Sequence, residues 1–202
     1  MSDLFNKGDF EEINEGFLVE SLDVFQKMSK VQEKYNKGDT DTFLNEVRDS
    51  IAAKYLGFTH INTAKHGFDA RRDGATGYDF LEVKTASFDA KTWGATFNDT
   101  NQDKADAFKM RNVYLCLSVW MYASEPLFFA FGTNPKIGHF LEERMNGRPS
   151  GSRSTQSISL QNLVNLYGFK IYTVNKTPEE VYQILKLRSG CRNIDRSSII
   201  QL

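Results

Sequence analysis

Asp69 and Glu82 stand thirteen positions apart, and Lys84 follows Glu82 two places on. Between them lies a turn, Gly74-Ala75-Thr76-Gly77, with a strand-like run on either side. Folded as a hairpin around that four-residue loop, Asp73 faces Tyr78, and the same register sets Asp69 opposite Glu82. Directly opposed residues bring their Cβ atoms to roughly 5 Å. Two carboxylates that close repel each other unless a cation sits between them. Oxygen ligands with no Cys or His nearby suit Mg²⁺, with Mn²⁺ as a substitute, rather than zinc. Side chains alternate along the second strand. Phe80, Glu82 and Lys84 therefore share one face, while Asp79, Leu81 and Val83 share the other. Two metal-holding carboxylates with a lysine beside them suit hydrolysis of a phosphodiester. The ion polarises the phosphate and lowers the pKa of a bound water, and the lysine orients that water and meets the developing charge.

Rival arrangements are weaker. Asp79 with Asp89-Ala90-Lys91 has a similar layout, but no turn joins its parts and its Asp-x-Lys lies in loop-like sequence. A surface hairpin with Glu82 and Lys84 merely solvated is the plain alternative. Against it, Phe80, Leu81 and Val83 surround the glutamate, and a charge in an apolar strand needs a partner or a function. His60, His66 and His139 are scattered, and only His66 falls near Asp69. Walker-type phosphate loops and clustered Ser/His/Asp signatures are missing. Trp93, Phe97 and Tyr78 could stack on bases, but packing explains each as well.

The elements that must position these groups can be read from periodicity. Apolar spacing predicts helices over 10–35 and 42–55, the second capped by Asp39, Thr40 or Asp41 and stopped by Gly57. A short strand at 58–63 and the hairpin strands 67–73 and 78–86 follow. Residues 87–100 read as a loop, 102–111 as a helix, and Val113–Trp120 as a central strand that is apolar on both faces. Leu127–Phe131 is its neighbour. Helices near 136–145 and 160–166, a strand at 169–174 and a last helix opened by Thr177-Pro178-Glu179-Glu180 complete the chain. The fold class is α/β, a mixed central β-sheet flanked by helices.

The 202 residues suit a single domain: N-terminal helices 10–56, a core 58–132 carrying the site, and a basic portion 144–202. No long apolar run predicts a membrane span, and the first residues lack the layout of a signal peptide. Two cysteines, Cys116 and Cys191, are too few for a disulfide framework or zinc site, so a reducing cytoplasmic setting is expected. The net charge of −1 argues against an indiscriminate nucleic-acid binder. Its distribution is uneven: residues 1–50 carry −6, and residues 144–202 carry +6. The candidates for DNA contact are Arg148, Ser152, Arg153 and Ser154 in the polar 146–156 loop, with Arg188, Arg192 and Arg196 near the C-terminus. Lys104, Lys109 and Arg111 on the helix after the hairpin could also hold phosphates.

Gly67-Phe68-Asp69 followed by Phe80-Leu81-Glu82-Val83-Lys84-Thr85 resembles the signature of the PD-(D/E)xK nuclease superfamily, the restriction-endonuclease-like fold. The similarity covers mainly residues 42–120, and Phe68 stands where the family has its proline. The resemblance implies a Mg²⁺-dependent DNA endonuclease on a restriction-endonuclease-like core. Asp69, Glu82 and the Val83 carbonyl would hold the metal, and Lys84 would position the water. It also implies a helix glutamate in the metal shell: Glu46 matches, with Asp49 one turn on as the alternative. A sequence-specific enzyme acting on double-stranded DNA as a homodimer is the expected form. A structure-specific resolvase or repair nuclease is the second reading, and a non-catalytic nucleic-acid-binding protein on the same fold is the third.

Overall fold

The computed structural model describes residues 15–61, 67–98, 100–147 and 155–202. The chain forms two compact units, Met1–Glu46 and Val47–Leu202. The first contains α1 (Glu15–Tyr35) and the start of α2 (Thr40–Tyr55). Asn36 takes a left-handed backbone, φ 53°, where α1 stops. Asp39 opens α2, its carboxylate accepting from the Thr42 amide at 2.7 Å.

The second unit is built on a seven-stranded mixed sheet. Its strands are β1 (Thr59–His60), β2 (Ala70–Gly74), β3 (Gly77–Ser87), β5 (Val113–Trp120), β6 (Pro126–Gly132), β8 (Lys170–Thr173) and β9 (Ile199–Gln201), in that spatial order. β3 runs parallel to β5, as β8 does to β9, and the other neighbours are antiparallel. The parallel β3–β5 pair needs a crossover, and α3 (Gln102–Phe108) lies on it. Leu115, Leu117 and Val119 of β5 face a core shared with α3, α4 (Lys136–Asn146), α5 (Leu160–Asn165) and α6 (Pro178–Leu187). Cys116 and Trp120 face the opposite way, onto Ala52, Ala53 and Leu56 of α2. The central strand is thus apolar on both faces because helices cover both.

The hairpin register is the one expected, with Asp73 opposite Tyr78 and Ala70 opposite Leu81. The loop is tighter than expected: Gly74 pairs with Gly77, leaving only Ala75 and Thr76 to turn. Gly77 makes this possible with φ 129°, and a Cβ on Gly74 would press on the Asp79 carboxylate at 2.7 Å. Three short strands carry too few residues to show alternation in the sequence. One is β9. Another is β4 (Gly94–Phe97), inside the stretch expected as a loop, which pairs with the third, β7 (Gln156–Ser159). Gly94 admits this pairing, since a Cβ there would meet the Ile158 carbonyl at 3.0 Å.

α6 opens with the capping box expected from Thr177 and Glu180. α3 ends at Phe108, three residues short of its predicted end, and packs tightly on α4. At that crossing Gly138 has no room for a side chain: a Cβ would overlap the Ala105 carbonyl and stand 2.7 Å from the Lys109 amide.

Candidate active site

Asp69 sits one residue before β2, where the ladder changes. Its amide donates to the Leu81 carbonyl at 2.9 Å, although Leu81 is already the partner of Ala70. Two residues thus answer to one, the count of a β-bulge, a device common beside active sites. The Asp69 carboxylate reaches past Glu82 and accepts from the Val83 amide at 2.7 Å. Asp69 therefore does not simply oppose Glu82 in the ladder. It bonds the residue before Glu82 through its amide and the residue after through its carboxylate. An extended residue aims its N–H and C=O to the same side. The Val83 carbonyl therefore points to the side on which Asp69 lies.

Glu82 is 2% exposed. Its Oε1 accepts from two ammoniums, Lys84 Nζ at 2.6 Å and Lys104 Nζ at 2.5 Å. Its Oε2 is buried and has no hydrogen-bond partner. Lys84 lies over the ring of Phe97 from β4, 5.6 Å from the centroid. The buried Ser118 hydroxyl on β5 donates to the Lys84 carbonyl at 3.2 Å. Lys104 projects from α3, whose first turn is capped by the Asn101 side chain accepting from the Lys104 amide at 2.9 Å. A cleft of about 440 Å³ opens onto Asp69, Glu82, Lys84 and Lys104, with Asn98, Asn101 and Asp103 on its rim.

The electrostatics follow from crowding. Burial first, and then the Glu82 charge, push the Asp69 carboxyl up to about 6, against the opposing pull of the Val83 amide, Lys84 and Lys104. Burial weakens the Lys84 ammonium, but Glu82, Asp69 and Asp49 outweigh it and hold its pKa above the ordinary lysine value.

Other expected residues are placed as follows. The Glu46 carboxylate, in the N-terminal unit, is bonded by Lys37 Nζ at 2.6 Å. Asp49, one turn further along α2, falls in the sheet-bearing unit, and its charge acts on Lys84. Asp79 points away from the cleft, as alternation requires, and pairs with Arg72 at 3.1 Å. Asp89-Ala90-Lys91 lies in the turn after β3. Lys109 is engaged by Asp106 and Glu142 at 2.7 and 2.8 Å. The Arg188 guanidinium stacks on Trp93 at 3.8 Å and donates to the carbonyls of Phe88 and Ala90, so it fastens a loop to the core. Arg192 is exposed, and Arg196 is paired with Glu179 at 3.1 Å. Trp93 and Phe97 are core residues, while Tyr78 is exposed. A ring nitrogen of His60 lies 3.2 Å from the Asp69 carbonyl. Arg148, Ser152, Arg153, Ser154 and His66 lie outside the described residues.

Lys104 was expected on a phosphate-facing surface, and its bond to Glu82 is what the sequence did not reveal. The two residues are 22 positions apart and meet only through the crossover. Among the described residues, no three His, Cys, Asp or Glu side chains gather at metal-holding distance. A divalent ion would thus rest on the two carboxylates, the Val83 carbonyl and water. That hard-oxygen set fits Mg²⁺, which keeps several waters, and the unpartnered Glu82 Oε2 supplies a ready donor. Among the described residues, no helix is long and apolar enough to cross a membrane. No protein-family model matches the chain, and no curated protein is significantly similar to it.

Proposed function

We propose that the protein is a Mg²⁺-dependent endonuclease with a restriction-endonuclease-like core, which hydrolyses phosphodiester bonds of double-stranded DNA in a sequence-specific manner. One observation carries this reading: a buried glutamate with one oxygen crowded by two lysines and the other unpartnered, beside an aspartate whose carboxyl is pushed up to about 6. A buried carboxylate oxygen left without a partner calls for an explanation, and a strongly shifted carboxyl in a cleft marks a candidate site.

In this reading Asp69, Glu82 and the Val83 carbonyl hold the ion. When bound, it supplies positive charge that polarises the phosphate and eases deprotonation of a water. Asp69 must give up its proton to take the ion, so proton and ion compete for it, and ion binding strengthens as pH rises through about 6. Lys84, fixed over Phe97 and by the Ser118 bond to its carbonyl, donates to the attacking water and orients it. The water gives up one proton to bulk solvent as its oxygen bonds to phosphorus, one ester P–O bond breaks, and the leaving oxygen takes a proton from solvent. Lys84 also stabilises the charge that builds on the phosphate oxygens. Exposed Arg192 and the 148–154 segment supply backbone contacts, and a homodimer matches a two-fold DNA site.

The test is incubation of the purified protein with mixed plasmid and phage DNA plus Mg²⁺. Discrete bands are the expected result, and EDTA abolishes them. A uniform smear would reject the sequence-specific part, and intact DNA under all conditions would reject the enzyme.

A further inference from the structure

Glu82 Oε1 is bonded at once by two ammoniums, one from its own strand and one from α3, while its other oxygen has no partner. Two positive groups on one oxygen repel each other, so the arrangement holds only while Glu82 and Asp69 supply the offsetting charge. Bringing a divalent cation to these carboxylates adds two more positive charges to the same small volume. One ammonium must then yield. Asp69 acts on both lysines, but Lys84 is the more firmly held: its ammonium lies over the Phe97 ring, Ser118 bonds its carbonyl, and Asp49 acts on it as well. Among the described residues Glu82 is the one ion-pair partner of Lys104, which lines the cleft.

We infer that Lys104 is a second working lysine of this cleft. It clamps Glu82 in the metal-free protein and turns to the scissile phosphate when the cation displaces it. The inference rests on the nuclease reading and deepens it. Lys104 thereby does two opposed things: it competes with the ion for Glu82, and once released it binds a phosphate oxygen of the substrate. A lysine that only propped up the fold would do neither.

The experiment compares wild type with Lys104→Met, which keeps the length and removes the charge, and with Lys104→Arg, which keeps the charge. Mg²⁺ affinity is measured without DNA by calorimetric titration at pH 7.5, and single-turnover cleavage is measured with saturating Mg²⁺. Lys104→Met should bind Mg²⁺ more tightly, by about tenfold, and cut more slowly, by about a hundredfold. Opposite movement of the two readouts is the signature. Lys104→Arg should leave Mg²⁺ affinity near wild type and recover part of the cutting rate. If Lys104→Met does not fold, Lys104→Gln, which also removes the charge, takes its place: cutting by Lys104→Gln at the wild-type rate then overturns the inference. A Lys104→Met that cuts at the wild-type rate, or binds Mg²⁺ no more tightly, overturns it too while leaving the nuclease intact. A wild type that neither binds Mg²⁺ nor cuts DNA refutes the nuclease reading and takes the Lys104 inference with it.

Discussion

The two faces of the β2–β3 hairpin both carry an aspartate beside basic side chains, and they handle the charge in opposite ways. On one face Asp79 meets Arg72 at 3.1 Å, and the Arg72 guanidinium also stacks on Phe58 and Tyr114 at 4.3 and 5.0 Å. That charge is matched one for one and braced by aromatic rings. On the other face two carboxylates and two ammoniums share a cleft, one oxygen is doubly bonded, one is orphaned, and Asp69 resists ionisation. The first face minimises the energy of the folded chain. The second holds unmet electrostatic demand, which a stable fold tolerates where something else is meant to bind. Stability and activity should therefore respond in opposite senses on the two faces.

The sharpest way to break that contrast is Lys84→Ala. Cleavage should fall at least about a thousandfold, while DNA binding, measured by fluorescence anisotropy in Ca²⁺, stays near wild type. Comparable loss of both would mean the face is only a docking surface. Asp69→Asn should also abolish cutting, yet leave the metal-free protein more stable at pH 7.5, by about 2 kcal/mol, because the amide removes the cost of burying a charge and the repulsion with Glu82. Urea denaturation in EDTA reads this, and a lower midpoint would contradict it.

The pH dependence gives the same contrast in solution. The folded Asp69 carboxyl keeps its proton up to about 6, whereas a free aspartate loses it near 3.8. Between those values the native state binds more protons than the unfolded one. Stability from this group is therefore full below the lower value and is lost as pH rises through the upper one. The wild type, compared with Asp69→Asn in EDTA, should lose about 2 kcal/mol more between pH 4 and 7. A parallel profile for the two proteins would remove the basis of the contrast.

Smaller effects probe the supports. Asp79→Asn should cost about 1 kcal/mol, read as a drop of about 2–4 °C in Tm, with cutting unchanged. Ser118→Ala removes the bond to the Lys84 carbonyl. It should slow cutting only a few-fold, at a stability cost of about 1 kcal/mol.

How much of this could be read from the chain depends on how local each signal is. The hairpin register was legible because Gly74, Gly77 and the alternation from Phe80 to Lys84 lie within a dozen residues of each other. The same alternation separated Asp79 from Glu82. The bulge at Asp69 was not legible: it arises where β2 ends, and no residue type marks it. The bond from Lys104 to Glu82 was not legible because it is reached through a parallel crossover, whose geometry no spacing rule encodes. Arg188 was a candidate for DNA contact, and nothing in its neighbourhood along the chain announces Trp93 beneath it. Glu46 matched by family analogy, yet Lys37 holds it, and Asp49 is the α2 carboxylate whose field reaches Lys84.

Gly138 gives the cleft a point of leverage far from any charge. The missing methyl group there is the clearance that lets α3 settle on α4, and Ala105, which it touches, directly follows Lys104. A bulkier residue at 138 would act as a wedge, tilting the stem of Lys104 from a position more than thirty residues along the chain. In a lineage descended from this sequence, the balance of charge around Glu82 could drift through such uncharged packing positions alone. The hydrophobic layer is in that sense a tuning screw for the site, and selection could turn it without altering a single reacting group.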